Sequence, residues 1–537
     1  MSAFERLGVM LDVSRNAVMK VSQLKKYIDY LSAMGYNCLE LYAEDIYRMK
    51  DEPYFGYLRG GYTAEDIKEI DAYAKSKGIE LIPCIQTLAH FTNMCKLPHY
   101  ADIIDCDDIL LIDDEKTYAF IETMFKHLAE TFTSRQVNIG MDEAHNVGLG
   151  KYLNQHGYNN RTELVLKHLN RVAEIAKKYG FHCHMWSDMF FRLASGGEYY
   201  IEEGRNIVVS EEIQKKIPEN VSLTYWDYYH TDKKTYDVMF KEHKKFGDDV
   251  WFAGGAWTWQ GFCPLNDFTL RSMQPAFESA REFGVKNALI TIWGDDGHEC
   301  SFFAIMASLF AIRKFAEGVY DLGVIKAEFK AKFKMDFDAF MALDLPNQIT
   351  VNGVQNEQWS CVCKTMFYSD VLLGVKDIEY AKLDPIPYAE LEKKMKKAGK
   401  KAREFRYIFE TQEKLCAYMK IKATLGIEAR KAYKEKDMKA LKGVVKKIGE
   451  AIKKLDEFIP VFKKQWMTEA RPFGWEVQIL RLGSCKARLD DCKQKLQAYV
   501  KGKIDVVEEL EEELLPWKDR NGFMYHRWRE SVTVSVI

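Results

Sequence analysis

Eight short apolar runs, each followed by an amphipathic pattern and then the next run, constrain this chain more than any other feature. They read LGVMLDV (7–13), NCLELYA (37–43), IELIPCIQ (79–86), QVNIGMD (136–142), FHCHMWS (181–187), VSLTYWD (221–227), VWFAGGAW (250–257) and NALITIW (287–293). Near-continuous apolar runs of this length suit parallel strands covered on both faces. Gly35, Gly78, Gly180, Gly247 and Gly284 fall between a helical pattern and the next run, where a helix end turns through positive φ. Ser22 precedes QLKKYIDYLSAM, with Leu24, Tyr27, Ile28 and Leu31 at helical spacing, and Thr63-Ala64-Glu65-Asp66 has the form of a capping box. Eight such units in series predict an α/β fold, a (β/α)8 barrel over residues 1–335. NIVVS (206–210) is a ninth strand candidate and is read as an insertion. An open doubly wound sheet is the alternative, weakened because no glycine-rich phosphate fingerprint follows the first run.

From residue 336 to 537 the texture changes to lysine-rich helical stretches such as KALKGVVKKIGEAIKKLDEF, which predict an all-α C-terminal domain. The lysines read as a solvated face. They lack the interleaved aromatics of a nucleic-acid surface, they sit beside acidic runs, and the net charge is only −2. No apolar run is long enough to span a bilayer, and the opening MSAFERLGVMLDVS carries charges where a secretory leader has its apolar stretch. The 12 cysteines are scattered without a CxxC pair. The expectation is a reduced, cytoplasmic chain without membrane or nucleic-acid partners. Flanking the barrel or building a homodimer is the expected use of the helices.

Barrel enzymes place their chemistry at the C-terminal ends of the strands. There the chain offers Asp12, Arg15, Glu44, His90, Asp142, Glu143, Trp186, Asp188, Trp226, Asp227, Trp257, Trp259, Trp293 and Asp295. With so many carboxylates and few bases, at least one carboxyl pKa should rise. Six of the 11 tryptophans lie between Trp186 and Trp293, and aromatic walls around one mouth suit the C–H face of a pyranose. Carboxylates with aromatic walls, and without a nucleophilic serine motif or a cofactor loop, point to glycoside hydrolysis with no cofactor and no metal. The leading pair, Asp142 and Glu143, is adjacent in sequence. Strand neighbours point to opposite faces, so both reach one pocket only if the strand ends or bends there. Even then they approach the sugar from one side, which suits a substrate that supplies its own nucleophile.

NIGMDEAH (138–145) resembles the Asp-Glu signature of glycoside hydrolase family 20, the β-N-acetylhexosaminidases. LDVSRN (11–16), GGYTAEDIKEI (60–70), LIPCIQTLAHF (81–91), MWSDMF (185–190) and IWGDD (292–296) resemble further motifs of that family in its order. The resemblance implies exo-acting release of terminal β-linked GlcNAc or GalNAc from a glycan. It also implies retention through an oxazolinium ion formed by the 2-acetamido group. Glu143 then serves as acid/base, Asp142 orients the acetamido group, and Arg15, Trp186, Trp293 and Asp295 bind the sugar. Asp295 stands where the family has the longer glutamate. His90 stands where the family reads Pro-Gly-His, with a structural histidine as the alternative. Tyr225-Trp226-Asp227 fits the family's Tyr-x-Asp element, which would make Tyr225 the anchor of the acetamido oxygen. By spacing, Trp226 is instead a wall tryptophan, which moves the anchor near Trp257. A non-catalytic sugar-binding barrel and a metal-dependent barrel hydrolase are the competing readings.

Overall fold

The computed structural model describes residues 4–201, 207–517 and 527–537. Eight strands form a closed, all-parallel barrel: β1 (Arg6–Asp12), β2 (Cys38–Tyr42), β3 (Glu80–Cys84), β4 (Gln136–Asn138), β5 (His182–Trp186), β6 (Val221–Trp226), β7 (Trp251–Gly255) and β8 (Asn287–Ile292). They follow one another around the ring in chain order, and β1 closes on β8 with Val9 opposite Ile290. Each expected run overlaps one of these strands, the first strand beginning one residue earlier, at Arg6. Of the ninth candidate, residue 206 lies outside the described residues and 207–210 is coil.

Helices α1 (Val21–Met34), α2 (Ala64–Ser76), α3 (Glu115–Thr131), α4 (Arg161–Lys178), α5 (Asp188–Ser195), α6 (Lys233–His243), α7 (Asn266–Glu282) and α8 (Met306–Glu317) follow the strands. Helix α1 ends in Gly35 at φ 94°, whose N–H donates to the carbonyls of Leu31 and Ser32. The other four glycines between helix and strand also take positive φ. The capping box of α2 is complete, with Asp66 N donating to Thr63 Oγ1 (3.1 Å) and Thr63 N to Asp66 Oδ2 (3.0 Å). Ser22 does not begin α1: the helix starts at Val21 after an uncapped Lys20. A tertiary contact fixes that start, because Lys20 N donates to the Glu469 carbonyl (2.9 Å).

Beyond residue 336 the chain is mainly helical, with α9 (Val362–Tyr368), α10 (Arg406–Lys422), α11 (Met438–Glu469) and α12 (Trp475–Val500), plus a small hairpin of Thr350–Val351 and Val354–Gln355. We place the division between the two regions at 335/336. Helix α11 buries Leu441, Val444, Ile448, Ala451, Leu455, Phe458 and Phe462 in one stripe and packs on α10 and α12. Its lysines are therefore the solvated face that the periodicity requires. Among the described residues no helix is long and apolar enough to cross a membrane.

Candidate active site

The strand ends converge on a cavity of about 90 Å³ lined by Arg15, His90, Asp142, Glu143, Trp186, Trp226, Tyr228, Tyr229, Trp259, Trp293 and Asp295. Larger cavities of about 340 and 490 Å³ lie among the C-terminal helices. They bring together no paired carboxylates at strand ends, so chemistry rather than size selects the smaller one.

Strand β4 stops at Asn138, well short of Asp142. Gly140, Met141 and Glu143 then take φ of 69°, 70° and 50°, a cluster of left-handed residues that breaks the alternation of the strand. That bend lets neighbours in sequence open on one cavity. Gly140 has no freedom to change, since a Cβ there would collide with the Gln86 amide. Gln86 spans the bend: its Oε1 accepts from Met141 N (3.3 Å) and its Nε2 donates to Asp142 Oδ1 (3.1 Å). His90 Nε2 lies 3.1 Å from Asp142 Oδ2 and 3.9 Å from Glu143 Oε2.

Burial works to raise the Asp142 pKa, but the His90 charge and the bonds from His90 and Gln86 take it below the usual carboxylate range. The same pair carries the His90 imidazole up to about 10 against its own desolvation, with the Asp142 charge the main opposing cause. Asp142 is thus an anion and His90 a cation at neutral pH. Glu143 is the more open of the two carboxylates, with its side chain 44% exposed.

Asp188, at the start of α5, is fully buried, and its Oδ2 accepts from Glu143 N (3.2 Å) and from Arg192 Nε (3.0 Å). Burial, then the Asp142 charge, push its carboxyl up to about 7. The crowding of carboxylates therefore raises Asp188, and Glu44 by burial as well. Asp188 keeps its proton to higher pH in the folded chain than in the unfolded one, so folding binds a proton between about pH 4 and 7. This contribution is full below the unfolded pKa and is lost as pH rises through about 7. Asp188→Asn should keep both accepted hydrogen bonds and remove that slope. Unfolding free energies from denaturant melts at pH 5 and pH 8 should differ less in the variant than in wild type, by on the order of a few kcal/mol. Equal slopes would exclude the assignment.

Opposite this side, Arg15 bonds Asp295 and places Nε 3.4 Å from Glu44. Its guanidinium carbon lies 4.8 Å from the Trp293 ring centre and 5.2 Å from that of Tyr42. Asp12 ties this wall together, since its Oδ1 accepts from Ser14 N and Arg15 N and its Oδ2 from Gly294 N (2.9 Å). Trp186 lines the cavity and is buried, with its indole N–H unpaired among the described residues.

Three expected site residues are not at the cavity. Tyr225 is wholly buried on the outer side of β6 among Phe240, His243 and Phe252, and its hydroxyl donates to Asp227 (2.8 Å). Strand β6 still runs at Trp226, so alternation sends Trp226 to the mouth and Tyr225 away from it. Asp227 is a buried organiser of the next turn, accepting also from Tyr229 N (3.0 Å) and facing His230 Nδ1 (2.8 Å). Trp257 lies behind the wall, stacked on Trp259 at 4.3 Å, and its Nε1 donates to the Tyr228 carbonyl (3.0 Å). The positions so supported are Tyr228, Tyr229 and Trp259. Tyr228 stacks on Trp226 at 5.5 Å, and burial pushes its phenol well up, so it keeps its O–H. The aromatic pair Tyr228-Tyr229 directly after Asp227 was the available signal for this part of the wall.

Two family models match the chain: "Glycosyl hydrolase family 20, catalytic domain" over residues 4–245 and "Glycoside Hydrolase 20C C-terminal domain" over residues 338–527. The chain is 26% identical to hexosaminidase D of Bos taurus over 267 residues, 47% of this chain and 69% of that protein. It is 26% identical to hexosaminidase D of Homo sapiens over 240 residues, 42% of this chain and 45% of that one. A solved family 20 exo-β-N-acetylglucosaminidase from Vibrio harveyi superposes with a TM-score of 0.47 at 17% identity, covering 64% of this chain and 59% of that one. With the catalytic-domain match on the barrel and the family's C-terminal match on the helices, the chain belongs to glycoside hydrolase family 20.

Proposed function

We propose that the protein is an exo-acting β-N-acetylhexosaminidase that releases terminal β-linked N-acetylhexosamine from a glycan with retention, using the substrate's acetamido group as nucleophile. The observation that carries this reading is the one-sided carboxylate pair. Asp142 is held anionic by His90 and Gln86, while Glu143 beside it is open to the cavity. The carboxylates of the far wall, Asp295 and Glu44, are engaged by Arg15. A separate enzyme nucleophile across the ring therefore has no obvious source, and the acetamido carbonyl supplies one.

In the first step Glu143 gives its proton to the glycosidic oxygen as the acetamido oxygen bonds to the anomeric carbon. The C–O bond to the aglycone breaks, leaving an oxazolinium ion and the Glu143 carboxylate. Asp142 accepts from the acetamido N–H and offsets the charge that develops there. In the second step Glu143 takes a proton from water, whose oxygen bonds to the anomeric carbon and opens the ring. Arg15, Asp295 and the indoles of Trp293, Trp186 and Trp226 hold the sugar. All twelve cysteines are free, which supports a reducing, cytoplasmic setting.

In this reading Tyr228, which lines the cavity, anchors the acetamido oxygen in place of Tyr225. Tyr228→Phe should lower kcat/KM by about tenfold or more with little change in stability. Tyr225→Phe should cost stability through Asp227 and leave kcat/KM within about twofold. Steady-state kinetics and thermal melts of both variants separate the two tyrosines, and the reverse pattern would restore Tyr225. The reading as a whole is tested with paired aryl β-glycosides, one with a 2-acetamido group and one with a 2-hydroxyl. Turnover of the acetamido sugar alone is expected. Equal turnover of both would reject substrate assistance, and sugar binding without turnover would favour a non-catalytic barrel.

A further inference from the structure

The loop after β8 is where the two regions of the chain meet the cavity together. Trp293 and Asp295 line the cavity, and the next three residues, Asp296, Gly297 and His298, take φ of 47°, 123° and 57°. Non-glycine residues in this region are strained and persist only where their surroundings over-determine them. Here the surroundings come from the helical region. Lys364 on α9, its side chain wholly buried, donates to the Asp296 carbonyl (2.9 Å) and pairs with Asp296 Oδ2 (3.1 Å) and Glu299 Oε1 (2.9 Å). Arg481 on α12 donates to the same carbonyl (2.7 Å), to Asp296 Oδ1 (3.0 Å) and to Glu299 Oε1 (3.1 Å). Gln478, one turn earlier on α12, donates to the Gly297 carbonyl (2.6 Å).

Two cations from one region thus enclose two carboxylates of the other. Burial disfavours the Asp296 anion, but Lys364 and Arg481 hold its pKa below the usual range. As stability devices, buried ion pairs barely offset their own desolvation; their better-attested use is to fix one conformation. What this cluster fixes is the backbone immediately after Asp295, whose carboxylate bonds Arg15. Lys364 also packs against Gly261 in the loop that follows Trp259, so a second wall segment rests on the same side chain. The catalytic-domain match ends at residue 245, and both loops lie beyond it.

We propose that Lys364 and Arg481 are positioning residues through which the helical region sets the loop 294–299, and with it the Trp293 ring that packs on the sugar and the Asp295 carboxylate that accepts from its outer hydroxyls. The sugar-binding part of this inference rests on the function proposed above; the mechanical part does not. Arg481→Lys keeps the charge and loses the planar fork, a non-conservative change at a site with three acceptors. Lys364→Met removes a buried cation. Lys414→Ala, which breaks a helical-region pair with Glu457 (2.9 Å), is the control.

The full-length proteins are compared by hydrogen–deuterium exchange of peptides covering 293–302, and by kcat and KM on aryl β-GlcNAc and β-GalNAc. Arg481→Lys should raise exchange in 293–302 without raising it in the barrel strands. It should also raise KM at least about threefold, with a smaller change in kcat and an altered GlcNAc-to-GalNAc ratio. Lys364→Met should do the same more strongly, and Lys414→Ala should do neither. If Lys364→Met fails to fold, Arg481→Lys alone decides. Wild-type exchange and KM in Arg481→Lys, or a lower melting temperature with both unchanged, would overturn the proposal. Should wild type turn over neither glycoside, the functional reading fails, while the exchange comparison still decides whether the helical region sets the loop.

Discussion

Glu143→Gln is expected to lower kcat/KM on an aryl β-N-acetylhexosaminide with a poor leaving group by about 10²–10⁴-fold, the usual worth of a positioned general acid. A leaving group that departs without a proton should recover much of the loss in the first step. Stability should change by no more than about 0.5 kcal/mol, as for other substitutions away from buried networks. The geometry requires this separation. The Glu143 side chain is 44% exposed, and its Oε2 lies 3.9 Å from His90 Nε2. The positive φ of 50° is held through the backbone by Asp188, which the substitution leaves in place. Steady-state kinetics on two aryl glycosides of different leaving-group pKa, with a thermal melt, checks both halves. An equal loss on both leaving groups would deny Glu143 the role of acid.

Asp142→Asn should behave differently, losing both activity and stability. The variant keeps an acceptor for Gln86 but not the charge. A fall in kcat of about 10²–10³-fold is expected from losing one preorganised partner of the developing charge. The stability effect follows from His90, whose side chain is only 16% exposed and would lose its nearest counter-ion. In wild type the folded-state pKa of His90 is raised to about 10. Its contribution is therefore complete below the unfolded value of about 6.5 and is lost as pH rises through about 10. In Asp142→Asn that descent between pH 7 and 10 should flatten, and the variant should be less stable than wild type at pH 7. Denaturant melts at pH 7 and pH 10 measure it. A variant as stable as wild type at pH 7 would show that the pair contributes nothing to the fold.

The barrel was legible because parallel strands covered on both faces write continuous apolar runs, and each helix end needs a residue tolerant of positive φ. What failed was local and had a physical cause each time. The fourth run extends to Asp142, yet the strand stops at Asn138, because three left-handed residues follow and only Gly140 among them advertises it. That bend is the feature that brings Asp142 and Glu143 together. Tyr225 fits a Tyr-x-Asp pattern by residue type, but the strand continues through Trp226, and period two cannot send both to the mouth. Trp257 sits just past a strand end, where an exposed wall is expected, and is buried by Trp259 two residues later. The hold of Lys364 and Arg481 on the β8 loop spans 65 to 185 residues of sequence, and neither residue type nor spacing records such a contact.

In the proposed reaction the substrate supplies the nucleophile while Asp142 and Glu143 act from one side. The most direct test is the rate of hydrolysis across a series of aryl β-glycosides whose N-acyl group carries none, one, two or three fluorines. Fluorine withdraws electrons from the acyl oxygen without changing the leaving group. A steep, progressive fall in kcat/KM along the series is expected, because each fluorine weakens the atom that attacks the anomeric carbon. A rate independent of fluorination would place the nucleophile on the enzyme and rule out substrate assistance.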